Sequence, residues 1–144
     1  MMAARRATAT TVRARPRAIE SQIQQAIIRW RDYNKGLDPD LKWLHAVPNG
    51  GGRSKAQAGI LKAEGVTKGV WDLSLPVLRG QYTGLVIELK KPGLRGHKNA
   101  GLTDEQVEYG EHQRAQGRLT AIHDDAAEAI ATIRHYLAMG APQA

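Results

Sequence analysis

Two short runs of alternating apolar and polar residues, Val70 to Leu78 and Tyr82 to Leu89, flank Arg79-Gly80-Gln81, and this pattern constrains the fold more than any other in the chain. Alternation gives a strand with one apolar and one polar face, and two such runs around a glycine turn read as an antiparallel hairpin. If the hairpin is centred on Gly80, Asp72 and Glu88 each lie eight residues from the turn and face each other. Lys90 shares the face of Glu88, because side chains alternate along a strand. Leu73, Leu75, Leu85, Ile87 and Leu89 then line the opposite, apolar face. Pro76 has no N–H for the ladder and marks a bulge or an edge.

The rest of the chain supplies elements to cover that hairpin. Ile19, Ile23, Ile27 and Trp30 recur at helical spacing and predict a helix ending near Asn34. Leu41 to Val47 reads as a short strand, stopped by Pro48-Asn49-Gly50-Gly51-Gly52. Arg53 to Glu64 reads as a helix closed by Gly65. Thr103-Asp104-Glu105-Gln106 has the form of a capping box and opens a helix to about Gln116. A strand, Leu119 to His123, leads into a final helix from Asp125, with Ala129, Ile130, Ile133 and Leu137 as its buried stripe. The order α, β, α, β, β, α, β, α predicts an α/β fold with a mixed central sheet flanked by helices.

At 144 residues the chain suits one domain with an ordinary core. The domain is expected over residues 19–140, behind a flexible basic arm over residues 1–18. Without cysteine there is neither a disulfide framework nor a thiolate zinc site, and the chain reads as cytoplasmic. Its apolar runs fall far short of the ~20 residues a membrane-spanning helix needs. The formal charge of +7 points to a polyanionic partner. Five arginines before Ile19 supply most of that excess, while residues 42–98 hold ten Lys/Arg against Glu64, Asp72 and Glu88. Residues 104–128 are the acidic counterpart, so one half of the domain is the candidate phosphate-facing surface.

Two carboxylates a few ångströms apart repel and need a proton or a cation between them. A hard divalent cation is the natural partner, since Mg²⁺ is commonly held by one or two protein carboxylates together with water and phosphate oxygens. A lysine beside such a pair can orient or help deprotonate water, or neutralise charge that grows on a phosphate. The bland alternative is a half-solvated strand with ordinary polar residues outside. Against it stand the opposite signs, the convergence and the basic surroundings of the trio.

At this point the sequence resembles a known family. Asp72 with Glu88-Leu89-Lys90 matches the core of the PD-(D/E)XK nucleases, and a longer string resembles their VRR-NUC branch, the virus-type replication-repair nucleases. That string comprises Glu20 with Gln24, Pro48 to Arg53, Leu61 to Val66, Lys68-Gly69-Val70-Trp71-Asp72, Gly84 to Lys90, and Leu102 to Gln106. The resemblance implies a restriction-endonuclease-like fold, with Asp72, Glu88 and the Leu89 carbonyl as ligands of Mg²⁺ or Mn²⁺. Glu20 would reach the ion directly or through water, Lys90 would stand at the nucleophile, and Gln106 would orient water or the lysine. Asn49, Gly50, Gly51, Arg53, Lys68 and Lys91 would meet the nucleic-acid backbone. The family often has Pro before its first metal-binding Asp, whereas Trp71 stands here.

The expected activity is metal-dependent hydrolysis of DNA by an endonuclease selective for structure, such as a four-way junction or related branch, working as a homodimer. A compact protein of this type resembles those of bacteriophages and their hosts. A non-cleaving binding module on the same fold and a sequence-specific restriction-type enzyme are the alternatives. Each residue also has a plainer reading. Glu20 could be a solvated first-turn acid and Gln106 only a capping residue. Lys91, Arg95, His97 and Lys98 could be a solvated charge run. The histidines lack metal-ligand spacing, and Trp30, Trp43 and Trp71 are expected in the core or at an interface.

Overall fold

The computed structural model describes residues 16–48 and 54–141. These form α1 (Pro16–Asn34), β1 (His45–Ala46), α2 (Lys55–Ala63), β2 (Leu73–Leu75), β3 (Leu85–Leu89), α3 (Asp104–Ala115), β4 (Leu119–His123) and α4 (Ala126–Ala138). The strands make one mixed sheet in the order β1-β2-β3-β4, antiparallel from β1 to β3 and parallel between β3 and β4. A parallel step requires a crossover, and the segment carrying α3 provides it. The basic arm expected at the N-terminus lies, up to residue 15, outside the described residues. No described helix is long and apolar enough to cross a membrane.

The central hairpin keeps the register that its sequence arithmetic predicts. Leu73 pairs with Ile87, Ser74 with Val86 and Leu75 with Leu85, each pair symmetric about Gly80. One further step of that register sets Asp72 opposite Glu88. The ladder is shorter than the alternation suggests, because Pro76 cannot donate to it. Beyond Pro76 the chain turns through a bridge between Arg79 and Tyr82, with Gly80 at a φ of +54°.

Leu41 to Val47, expected as a strand, is mostly a 3₁₀ turn over Pro39–Trp43, followed by the two residues of β1. Pro39 presets the backbone angle of the first turn. Leu41 and Leu44, three apart, are both buried, which a three-residue period allows and a strand's alternation does not. Elsewhere the boundaries follow local chemistry. Ser54 accepts from the Gln57 N–H and opens α2 two residues later than expected, and α1 opens at Pro16, three residues early. Proline suits a first helical turn, where the missing N–H has no partner to lose. Thr103 and Gln106 form the full capping box of α3, and Asp125 caps α4 through the Glu128 N–H.

All five residues of the hairpin's apolar face are buried, under α1 and α4, which contribute Ile27, Ala129, Ile133 and Tyr136 to the same cluster. Tyr136 was not in the expected stripe, and its hydroxyl donates to the Val77 carbonyl, so its polar end is satisfied inside the core. Trp71 is also buried, whereas Trp43 is half exposed. Every residue of β3 is buried, so its polar face is covered too, and the cover is α3. That helix is largely polar, and its fully buried positions are Gly110 and Gln113.

Gly110 makes the close approach of α3 possible. A Cβ there would fall 2.5 Å from Trp71 Cζ2, inside any real contact. Gly110→Ala should therefore lower stability by roughly 1–3 kcal/mol through overpacking, although alanine is the better helix former by about 1 kcal/mol. Thermal unfolding checks this: a lower Tm is expected, and an unchanged or raised Tm would show that α3 is not pressed onto the indole.

Candidate active site

The site lies where β2 and β3 part. Val47 N–H donates to the Asp72 carbonyl at 2.8 Å, continuing the β1 edge to this point. The Asp72 side chain leaves the ladder, and its Oδ2 accepts the Leu89 N–H at 2.8 Å. Glu88 is 2% exposed; its Oε1 accepts from Gln106 Nε2 at 2.6 Å and lies 3.4 Å from Lys90 Nζ. Glu88 Oε2 is buried and has no hydrogen-bond partner among the described residues. Burial, and then the Asp72 carboxylate beside it, push the Glu88 carboxyl up to about 8 against the opposing pull of Lys90.

Gln106 joins the acid to the base. Its Oε1 accepts from Lys90 Nζ at 2.8 Å and from the Thr103 N–H at 3.0 Å, while Nε2 donates to Glu88. Gln106 thus caps α3 and meets Lys90 through the same Oε1, while its Nε2 reaches Glu88. Lys90 is buried, so its ammonium depends on these few partners.

Glu20 comes to the same end of the sheet from the first turns of α1. Its Oε1 accepts the Lys91 N–H at 3.1 Å, directly after the Lys90 strand end. Among the described residues, no three His, Asp or Glu side chains converge closely enough to hold a metal by themselves. A divalent cation here would rely on Asp72, Glu88, a main-chain carbonyl such as that of Leu89, and water. The donor set fits such an ion: a buried carboxylate oxygen with no hydrogen-bond partner among the described residues, beside a second carboxylate.

The expected nucleic-acid contacts divide. Asn49, Gly50, Gly51 and Arg53 lie outside the described residues. Lys68 is well exposed and pairs with Glu105 at 2.9 Å. Lys91 is partly buried, and its main-chain N–H is used by Glu20. Arg95 pairs with Glu128 at 3.1 Å, which ties the loop after β3 to α4, while His97 and Lys98 are exposed. His123 is bound to Thr132 Oγ1 at 2.8 Å, and burial lowers its pKa.

Sequence reasoning missed the partners of Trp71. Its Nε1 donates to the Gln106 carbonyl at 2.8 Å, its ring packs on Gly110, and the Tyr109 ring lies 6.3 Å away. Gly69 touches α3 as well, where a Cβ would fall 2.6 Å from that of Glu105. The available signal was weak, namely a bulky aromatic beside a proposed ligand and a glycine inside a helix.

The raised Glu88 carboxyl has a defined pH signature in the metal-free protein. Its folded pKa lies above the ordinary 4.5, so its protonated form stabilises the fold. That contribution is complete below about pH 4.5 and is lost as pH rises through about 8. In EDTA, the stability of wild type relative to Glu88→Gln should fall by roughly 2–5 kcal/mol between pH 5 and pH 8.5. Thermal unfolding of both proteins across that range is the measurement, and a difference that does not change with pH would contradict it.

Among solved structures, one described as "VRR_NUC domain protein" superposes with a TM-score of 0.64, at 23% sequence identity, over 86% of this chain and 92% of that chain. No family model and no curated protein matches the sequence. At this identity the shared property is the fold, and the mixed sheet with helices on both faces agrees with it. The chain therefore has the fold of a VRR-NUC domain, an α/β architecture of the restriction-endonuclease-like kind.

Proposed function

We propose that this protein is a divalent-metal-dependent endonuclease that hydrolyses phosphodiester bonds in DNA, selecting branched structures such as four-way junctions. The observation that carries the reading is the buried Glu88, with an oxygen that has no hydrogen-bond partner among the described residues, held against Asp72 on one side and against the Lys90–Gln106 pair on the other. A stability role alone gives no reason to bury that arrangement, since replacing buried ionic groups by apolar ones is often neutral or stabilising.

Asp72, Glu88 and the Leu89 carbonyl would hold Mg²⁺ or Mn²⁺, with Glu20 contributing directly or through water. When bound, such an ion polarises a phosphoryl oxygen and makes its water more acidic. The chain's own groups do the rest. Gln106 fixes Lys90 by accepting a hydrogen bond from its Nζ, Glu88 pairs with the same Nζ at 3.4 Å, and a third N–H would be left to face an attacking water or the phosphate. Lys90 thereby orients the nucleophile and offsets charge that builds on the phosphate. Burial of Glu88 and Lys90 limits water around both and strengthens their interactions. Lys68, Lys91 and the segment Asn49, Gly50, Gly51 and Arg53 are proposed to meet the phosphate backbone.

Cutting both strands of a duplex or a junction calls for two such sites, so the working form is proposed to be a C2 homodimer. Sedimentation at micromolar concentration should show a dimer; a strict monomer that still resolves junctions would remove that part.

Cleavage of labelled linear duplex, single-stranded and four-way-junction DNA in Mg²⁺, Mn²⁺ or EDTA tests the reading. Cutting is expected only with metal, and Asp72→Ala is expected to abolish it. Lys90→Ala is expected to reduce it by roughly 10²–10⁴-fold, with DNA binding retained. DNA that is bound but never cut under any of these conditions would replace the enzyme with a binding module.

A further inference from the structure

We infer that Trp71 is a positioning residue, which sets the side chain of Gln106 between Lys90 and Glu88 by fixing the first turn of α3. The consequence for catalysis rests on the nuclease reading above; the positioning itself does not. The buried positions of the helix that carries Gln106 are a glycine and a glutamine, and the bonds of Gln113, Arg114 and Gln116 to Arg118, Thr120 and Thr83 hold its C-terminal end rather than its first turn. Its anchor comes from the opposite side of the site. The segment 68–72 meets α3 through the Lys68–Glu105 ion pair, the close approach of Gly69 to Glu105, and the buried indole of Trp71 seated on Gly110.

Only the indole contact is both buried and directional. Trp71 Nε1 donates at 2.8 Å to the carbonyl of Gln106, the same residue whose side-chain amide spans the lysine and the acid. A helical carbonyl has two lone pairs, so it can take this bond in addition to the helix's own. The donor belongs to the residue next to Asp72. One dipeptide thus supplies a carboxylate to the site and sets the height of α3 above it. A lever this short matters because an amide displaced by about 1 Å loses hydrogen-bond geometry to either Lys90 or Glu88.

Trp71→Phe deletes the N–H together with the outer edge of the indole that rests on Gly110, so the Gln106 resonances and the coupling to Gln106→Ala, rather than stability, separate positioning from packing in the full-length protein. Nitrogen-15 NMR of the metal-free protein reads the Gln106 side-chain amide and the Lys90 ammonium, and activity on junction DNA is measured alongside. Trp71→Phe is expected to keep a cooperative thermal transition while the Gln106 amide resonances shift and exchange with water about tenfold faster. It is also expected to lower kcat by about tenfold at unchanged KM, a loss that does not add to that of Gln106→Ala. Unchanged Gln106 and Lys90 resonances, or a kcat loss fully additive with Gln106→Ala, would overturn the inference. If the wild type cuts no DNA, the nuclease reading fails and the resonances still decide the positioning. If Trp71→Phe does not fold, Gly110→Ala displaces the ring with the indole still present and must move the same resonances.

Discussion

The confrontation of Asp72 with Glu88 is the constraint around which the rest of this structure is arranged. The hairpin ladder ends with Leu73 against Ile87, one residue from each acid, and the Asp72 carboxylate lies close enough to Glu88 to raise its pKa. Burial then makes the pair costly: Glu88 is almost completely removed from water and its carboxyl is driven to about 8. Such a group retains a proton, finds a counter-charge or binds a cation. Lys90 supplies part of a counter-charge at 3.4 Å, and one oxygen of Glu88 has no hydrogen-bond partner among the described residues. On the proposed reading, a divalent cation would complete the balance that the protein side chains leave open.

Each layer of the fold serves that confrontation. The apolar face of the hairpin is sealed by α1 and α4, which anchors β3 while its other side carries the buried Glu88. The crossover that makes β4 parallel to β3 brings α3 over that face, and its capping-box glutamine enters the site. Because Gln106 uses one atom for the cap and Lys90 together and the other for Glu88, the helix start and the ionic array share a single geometry. Glu20 binds the main chain at Lys91 and ties α1 to the same strand end.

What could be read in the sequence followed from local rules. The hairpin register, its apolar face, the capping box and the proximity of Asp72, Glu88 and Lys90 each depend on alternation or short spacing, and all appear as expected. Leu41 to Val47 misled because a short apolar run carries no period of its own, and the burial of Leu41 with Leu44 belongs to a 3₁₀ turn. The contacts of Trp71 could not be read, because they join residues 35 and 39 positions apart through the shape of a cavity that a glycine opens. Local pattern marks a buried tryptophan and a helical glycine separately and does not say that they meet. The placement of Glu20 against the Lys91 N–H is of the same kind.

The central claim is that Asp72 and Glu88 form a divalent-cation site, and anomalous diffraction from crystals grown with Mn²⁺ tests it most directly. A single strong peak at about 2.0–2.3 Å from oxygens of both Asp72 and Glu88 is the predicted result. Crystals that show the ion elsewhere, or none near the pair with Glu88 still unpartnered and protonated, would contradict it and leave a buried acid in need of another explanation.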